Sequence, residues 1–151
     1  MQNVFDAKDA QEYINRINNL TPETQRKWGK MSVNQVLAHL NVAYDLTFMP
    51  EKFPKPSFIA KFLLSRFVKP KITNEIPYKQ SLPTSPAFII ADERNFEEEK
   101  AKLIGNIQRV QQLGREAFEG KENINFGKMT AQCWNNMFAK HLNHHLEQFG
   151  V

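Results

Sequence analysis

With 151 residues, 41% of them hydrophobic and 24% charged, the chain is long enough to bury a core unaided and is expected to form one domain over residues 1–151. Its single cysteine, Cys133, excludes an internal disulfide framework and points to a reducing, cytoplasmic setting, and the opening MQNVFDAKDA lacks the pattern of a secretory leader. No apolar run reaches the length of a membrane span, and the net charge of +4 comes without zinc-finger spacing, an RNP motif or a glycine-rich phosphate loop, so nucleic acid is not the favoured partner.

Asp6 is placed to cap a first helix whose Ala10, Tyr13, Ile14 and Ile17 share one face, ending near Asn18-Asn19. Thr21-Pro22 then reads as an N-cap followed by proline at the first position of a short helical turn. Ser32 and Gln35 form the pattern S-x-x-Q, opening a helix through Val33, Val36, Leu37, Leu40, Ala43 and Tyr44 with His39 in its middle. From Lys52 to Lys79 seven basic residues face Glu75 alone, and SFIAKFLLSRFV within that stretch repeats Phe58, Ile59, Phe62, Leu63 and Phe67 at helical spacing. Such a helix is expected to pack its apolar face inward with solvated lysines outside, the alternative being a basic amphipathic helix on an anionic membrane or nucleic acid.

Residues 69–91 contain four prolines and no sustained period, predicting a long connection with short extended pieces such as Phe88-Ile89-Ile90. A connection of that length tends to be functional or to cover a site. Asp92 is the expected start of a long helix with Phe96, Leu103, Ile107, Val110 and Leu113 as its apolar stripe and Gly105 and Gly114 as weak points. The last helix begins at Thr130, with Met129 and Trp134 at hydrophobic-staple positions, carries Met137, Phe138, His141, Leu142 and His145, and stops near Phe149-Gly150. The expected class is all-α: four main helices and one long crossover, a four-helix bundle, which builds metal sites from facing helices.

The four histidines occupy two places, His39 alone and His141, His144 and His145 together in KHLNHHLEQFG. At about 100° per residue, His141 and His145 stand about 40° apart and His144 about 60° to the other side, so His141 and His145 are the better chelating pair. His39 is the remaining histidine able to complete three protein ligands around an open position. The alternative for the C-terminal cluster is a favourable interaction with the helix dipole, which leaves a polar ring at His39 on an apolar face unexplained. His144 has several readings: a partner behind the ligands, a substrate contact, a dimer surface, or an alternative ligand three residues from His141. Gln148, one turn beyond His144 and His145, either orients the site or makes a structural hydrogen bond at the helix end. Imidazoles without thiolate suit Zn²⁺, Ni²⁺, Cu²⁺ or Fe²⁺. Cys133 lies about 80° from His141 around the helix and two turns away, a core residue rather than a ligand.

The segments WGKMSVNQVLAHLNVA and FGKMTAQCWNNMFAKHLNHHLEQFG resemble the DinB-like superfamily, which includes YfiT-type metal hydrolases and thiol-dependent transferases. H-L-x-H-H-L-x-Q-F-G at residues 141–150 is especially similar to one branch of it, although that branch carries a His-Pro pair where this chain has Asn123-Ile124-Asn125 before Phe126-Gly127. The resemblance implies a four-helix bundle over nearly the whole chain and a metal triad of His39, His141 and His145. The expectation is therefore a divalent-metal protein, a metal-dependent transferase or hydrolase acting on a small-molecule substrate with a thiol or electrophile. The competing expectation is a noncatalytic stress-associated or interaction protein with structural histidines. A homodimer is expected, burying apolar surface on Phe58–Val68 or on the bundle.

Overall fold

Capping side chains set most of the helix starts in the computed structural model, which describes residues 1–151. The Asp6 carboxylate accepts the backbone N–H groups of Lys8 and Asp9 and opens α1, Ala7–Asn18, which buries Ala10, Tyr13, Ile14 and Ile17. The Ser32 hydroxyl accepts from Gln35 N while Gln35 Oε1 accepts from Ser32 N, a complete capping box for α2, Val33–Phe48. α2 runs one turn past Tyr44. The helical turn expected after Thr21-Pro22 is absent: Thr24 Oγ1 accepts the Thr21 N–H at 2.8 Å, and this local bond closes a turn in place of helix.

Ser57 caps α3, Phe58–Leu63, which continues through a π-helical stretch at Leu64–Val68 into α4, Lys69–Thr73. Pro70 does not break this run, because it sits in the first turn of α4, where its missing N–H is not needed. The expectation for this segment is overturned in its orientation. Phe58, Ile59, Phe62, Leu63 and Phe67 point outward, with Phe58 88% exposed, whereas Ala60, Leu64, Val68 and Ile72 turn inward and α4 packs on the last helix. Apolar residues occur on both sides of the helix, and the inner row is the smaller, aliphatic one.

The connection after Thr73 is irregular up to a 3-10 turn at Pro86–Phe88, so Phe88-Ile89-Ile90 is not an extended piece. α5, Phe96–Leu113, starts four residues later than expected: Asn95 supplies the cap to Glu98 N, while the Asp92 carboxylate pairs with Arg94. Leu113 lies at the surface rather than in the buried stripe, and Gly114 ends the helix at φ 70°. A small antiparallel hairpin of β1, Glu122–Asn123, and β2, Gly127–Lys128, was not anticipated; its turn is tied by Asn123, whose Oδ1 accepts from Asn125 N. Thr130 caps α6, Ala131–Gln148, flanked by buried Met129 and Trp134 as a staple requires.

The molecule is thus mostly helical, with strand confined to two-residue pieces. Both α1 and α2 pack against both α5 and α6, enclosing a core of 25 buried residues in which Tyr44 stacks on Phe138 with 4.7 Å between ring centroids. Cys133 is partly buried against this core. No helix is long and apolar enough to cross a membrane. The α2–α6 contact brings the two histidine-bearing helices together.

Candidate metal centre

His39 on α2 and His141 and His145 on α6 each present one ring nitrogen, and these atoms lie within 4.8 Å of one another. The ring centroids of His39 stand 4.9 Å from His141 and 4.6 Å from His145. His39 and His145 are buried at 3% and 7% exposure, while His141 keeps part of its surface open to an adjoining cavity.

Hydrogen bonds behind the rings fix which nitrogen faces the centre. His39 Nδ1 lies 2.8 Å from the Phe88 carbonyl oxygen, which can only accept, so Nδ1 carries the proton and Nε2 presents a lone pair. Gln148 Nε2 donates to the Trp28 carbonyl, which orients Gln148 Oε1 as acceptor for His145 Nδ1–H at 2.7 Å. Nε2 of His145 is left free in the same way. His141 Nε2 lies 2.9 Å from His39 Nε2, and since the latter is an acceptor, His141 donates. The rings therefore converge on one point with two Nε2 lone pairs, and a cation there would displace the single shared proton.

Burial keeps all three imidazoles uncharged. Desolvation lowers the pKa of His39, and it lowers that of His141 further, with the neighbouring histidines adding to the effect. Desolvation, reinforced by His39, takes His145 to about 3. Neutral imidazole is the form that ligates a metal. For Zn–N bonds of about 2.0–2.1 Å in a tetrahedron, ligand nitrogens sit roughly 3.3 Å apart. The 2.9 Å pair needs to open slightly and the widest separation, under 4.8 Å, to close by about an ångström and a half, within reach of small ring rotations.

The sequence-predicted residues divide cleanly. His39, His141 and His145 come together; His144 packs edge-on against His145 at 4.9 Å but is not one of the converging nitrogens, its ring also meeting Trp28 and Tyr78 with centroids at 6.0 and 5.6 Å. Desolvation lowers its pKa as well. Gln148 is buried, and its side chain bonds His145 and the Trp28 carbonyl. Gly29 makes that possible: at φ +84° its backbone comes so close that a Cβ would collide with Gln148 Nε2.

A cavity of about 440 Å³ opens on the three rings, a size typical of small-molecule sites. Its apolar wall comes from Leu64, Val68, Ile72, Phe88, Phe126 and Met137, its polar groups from Asn123, Asn125, Thr84, Ser85, Tyr78 and His144. No Asp, Glu, Lys or Arg lines it. Burial raises the Tyr78 phenol to about 12, keeping it protonated as a hydrogen-bond donor near neutrality. Sequence reasoning missed Phe88, Tyr78 and Gly29. The long connection was the available signal for the first two, and it does cover the cavity.

Neither the curated proteins nor the solved structures contain a match to this chain. A family profile does match, described as a protein of unknown function (DUF1569) and aligned over residues 2–150, and by that near-complete coverage the chain belongs to this family.

Proposed function

We propose that His39, His141 and His145 hold a divalent metal ion and that the protein is a metal-dependent transferase or hydrolase acting with a small thiol or electrophile. The observation carrying this reading is the fixed orientation of His39 and His145 by Phe88 O and Gln148 Oε1, which leaves Nε2 lone pairs aimed at one point. Hydrogen bonding alone accounts for the two Nδ1 atoms, and the convergence of the Nε2 side on one point is what a metal ion would use. The resemblance to DinB-like proteins supports it from outside the site, and four long helices with a crossover between α2 and α5 are compatible with that bundle.

His39, His141 and His145 would hold the ion, which would supply the lowering of a water or thiol pKa. The chain's own residues supply the rest. The uncharged wall takes the apolar body of a substrate and excludes bulk water. Tyr78 donates to a substrate oxygen, and His144, outside the triad but on the same wall, is the titratable group placed to receive a proton. Zinc, nickel and iron all fit an imidazole set, and the lone Cys133 favours a reducing, cytoplasmic compartment.

Elemental analysis of protein purified without a histidine tag tests the metal; about one equivalent per chain is expected, falling to trace in His145→Ala. Loss of free thiol in the presence of an electrophile, compared between metal-loaded and chelator-treated protein, tests the reaction. The noncatalytic reading has one observation of its own, because the His39–His141 hydrogen bond satisfies both rings without an ion. Metal-free protein of full stability would favour it.

A further inference from the structure

The outer face of the α3–α4 run has no partner in the fold. Of the ten large hydrophobic side chains at the surface, eight lie between Phe58 and Ile89, and only Met1 and Leu113 lie elsewhere. Phe58, Ile59, Phe62, Leu63 and Phe67 form one continuous outward row at 88%, 70%, 61%, 48% and 58% exposure. A row of this kind is too concentrated to be the ordinary scatter of surface apolar residues.

Its surroundings are positive. Lys61 is tied to Glu122, and Lys69 donates to the carbonyls of Phe126 and Lys128, which leaves Lys52, Lys55, Arg66, Lys71 and Lys79 exposed along the same segment. The acids between residues 50 and 80 are Glu51 and Glu75 alone. Arg66 lies over the Phe67 ring at 5.7 Å, so charge and apolar surface share one face. We infer that this face docks on an anionic lipid bilayer, the phenylalanine row entering the headgroup–acyl boundary while the lysines and Arg66 meet the headgroups.

Charge complementarity decides between this occupant and its competitors. A two-fold contact between copies of the chain would set one patch carrying Lys55, Arg66 and Lys71 against another of the same sign, which repels. Nucleic acid would satisfy the charges and leave five large apolar side chains in water. An anionic bilayer satisfies both sets, the combination that defines an interfacial amphipathic helix. The inference is independent of the metal reading, since none of the outward residues lines the cavity or touches the histidines.

The test is sedimentation of the full chain with vesicles of phosphatidylcholine alone and with about 30 mol% phosphatidylserine. Binding is expected to the anionic vesicles, to weaken with added salt, and to be slight on phosphatidylcholine. Replacing Phe58, Phe62 and Phe67 together by Ser should weaken it by about a hundredfold or more with the circular dichroism spectrum unchanged. Lys55→Gln and Arg66→Gln should each weaken it by about fivefold. His145→Ala should bind vesicles like the parent, which keeps failure of the metal reading distinct from failure of this one. No sedimentation with anionic vesicles overturns the inference, as does binding indifferent to the triple Ser variant. A wild-type dimer that the triple variant converts to monomer, without lipid binding, assigns the face to a second copy instead.

Discussion

Removing one imidazole at a time separates the ligands from their neighbours. His145→Ala is expected to lose the metal and His144→Ala to retain it, read by metal content on folded protein; the reverse result would break the assignment of the pair. Gly29→Ala reaches the centre indirectly, because its Cβ displaces Gln148, which holds His145 Nδ1. A drop in metal affinity of about 10–100-fold is expected from losing such a partner, and Gln148→Ala should not add to it. Acid acts on the same three rings. Their folded pKa values lie below the ordinary histidine value, that of His145 at about 3, so below about pH 6.5 the unfolded chain binds protons that the folded chain refuses. The stability of metal-free protein should therefore be independent of these rings above about pH 6.5 and fall by up to about 1.4 kcal/mol per pH unit per histidine as pH falls toward 3. Urea midpoints across that range measure it, and a flat profile for wild type would contradict the buried neutral rings. Helical periodicity alone was enough to pair His141 with His145. It could not reveal Phe88, whose carbonyl meets His39 from 49 residues away in the chain, or Gly29, whose backbone lies against Gln148 from the other end of the chain.

Among the elements, local capping chemistry was the most legible feature, because each cap is a short-range hydrogen bond written within four residues. Ser32 and Thr130 start their helices as the residue patterns indicate. Ser32→Ala should cost about 1 kcal/mol, seen as a melting temperature about 2–4 °C lower, and an unchanged melt would mean α2 is held by packing alone. Asn95, not Asp92, starts α5, its side chain accepting from Glu98 N while the Asp92 carboxylate pairs with Arg94. Which face of the α3–α4 run would be buried was not legible. Both rows are apolar, and the tertiary fold, not the pattern, turns Leu64, Val68 and Ile72 to the cavity wall while α4 packs on α6. Outward pairs recur every four residues at 58–59, 62–63, 66–67 and 70–71. In a uniform α-helix that spacing drifts by about 40° per step. The π-helical stretch, with Lys69 N bonded to Leu64 O, takes up the excess and keeps the two rows on opposite sides.

For the molecule as a whole, the helical class followed from the periodic segments, while the hairpin at residues 122–128 escaped notice because two-residue strands carry no period to detect. That hairpin places Asn123 and Asn125 at the cavity, where they contribute polar groups to its wall. The separation of the ligands along the chain has a further meaning. His39 and His141 are 102 residues apart, so an ion between them is a removable cross-link that gathers two-thirds of the polypeptide into one closed loop. Metal at about a hundred times its dissociation constant would add about 2.7 kcal/mol to the native state, or roughly 5–10 °C in the melting temperature. Scanning calorimetry before and after chelation reads that difference, and re-addition of the ion should restore it. An ion bound there would equip the cavity and at the same time clasp the first half of the fold to the last, so that the occupied site and the tightened chain would arrive and depart as a single event.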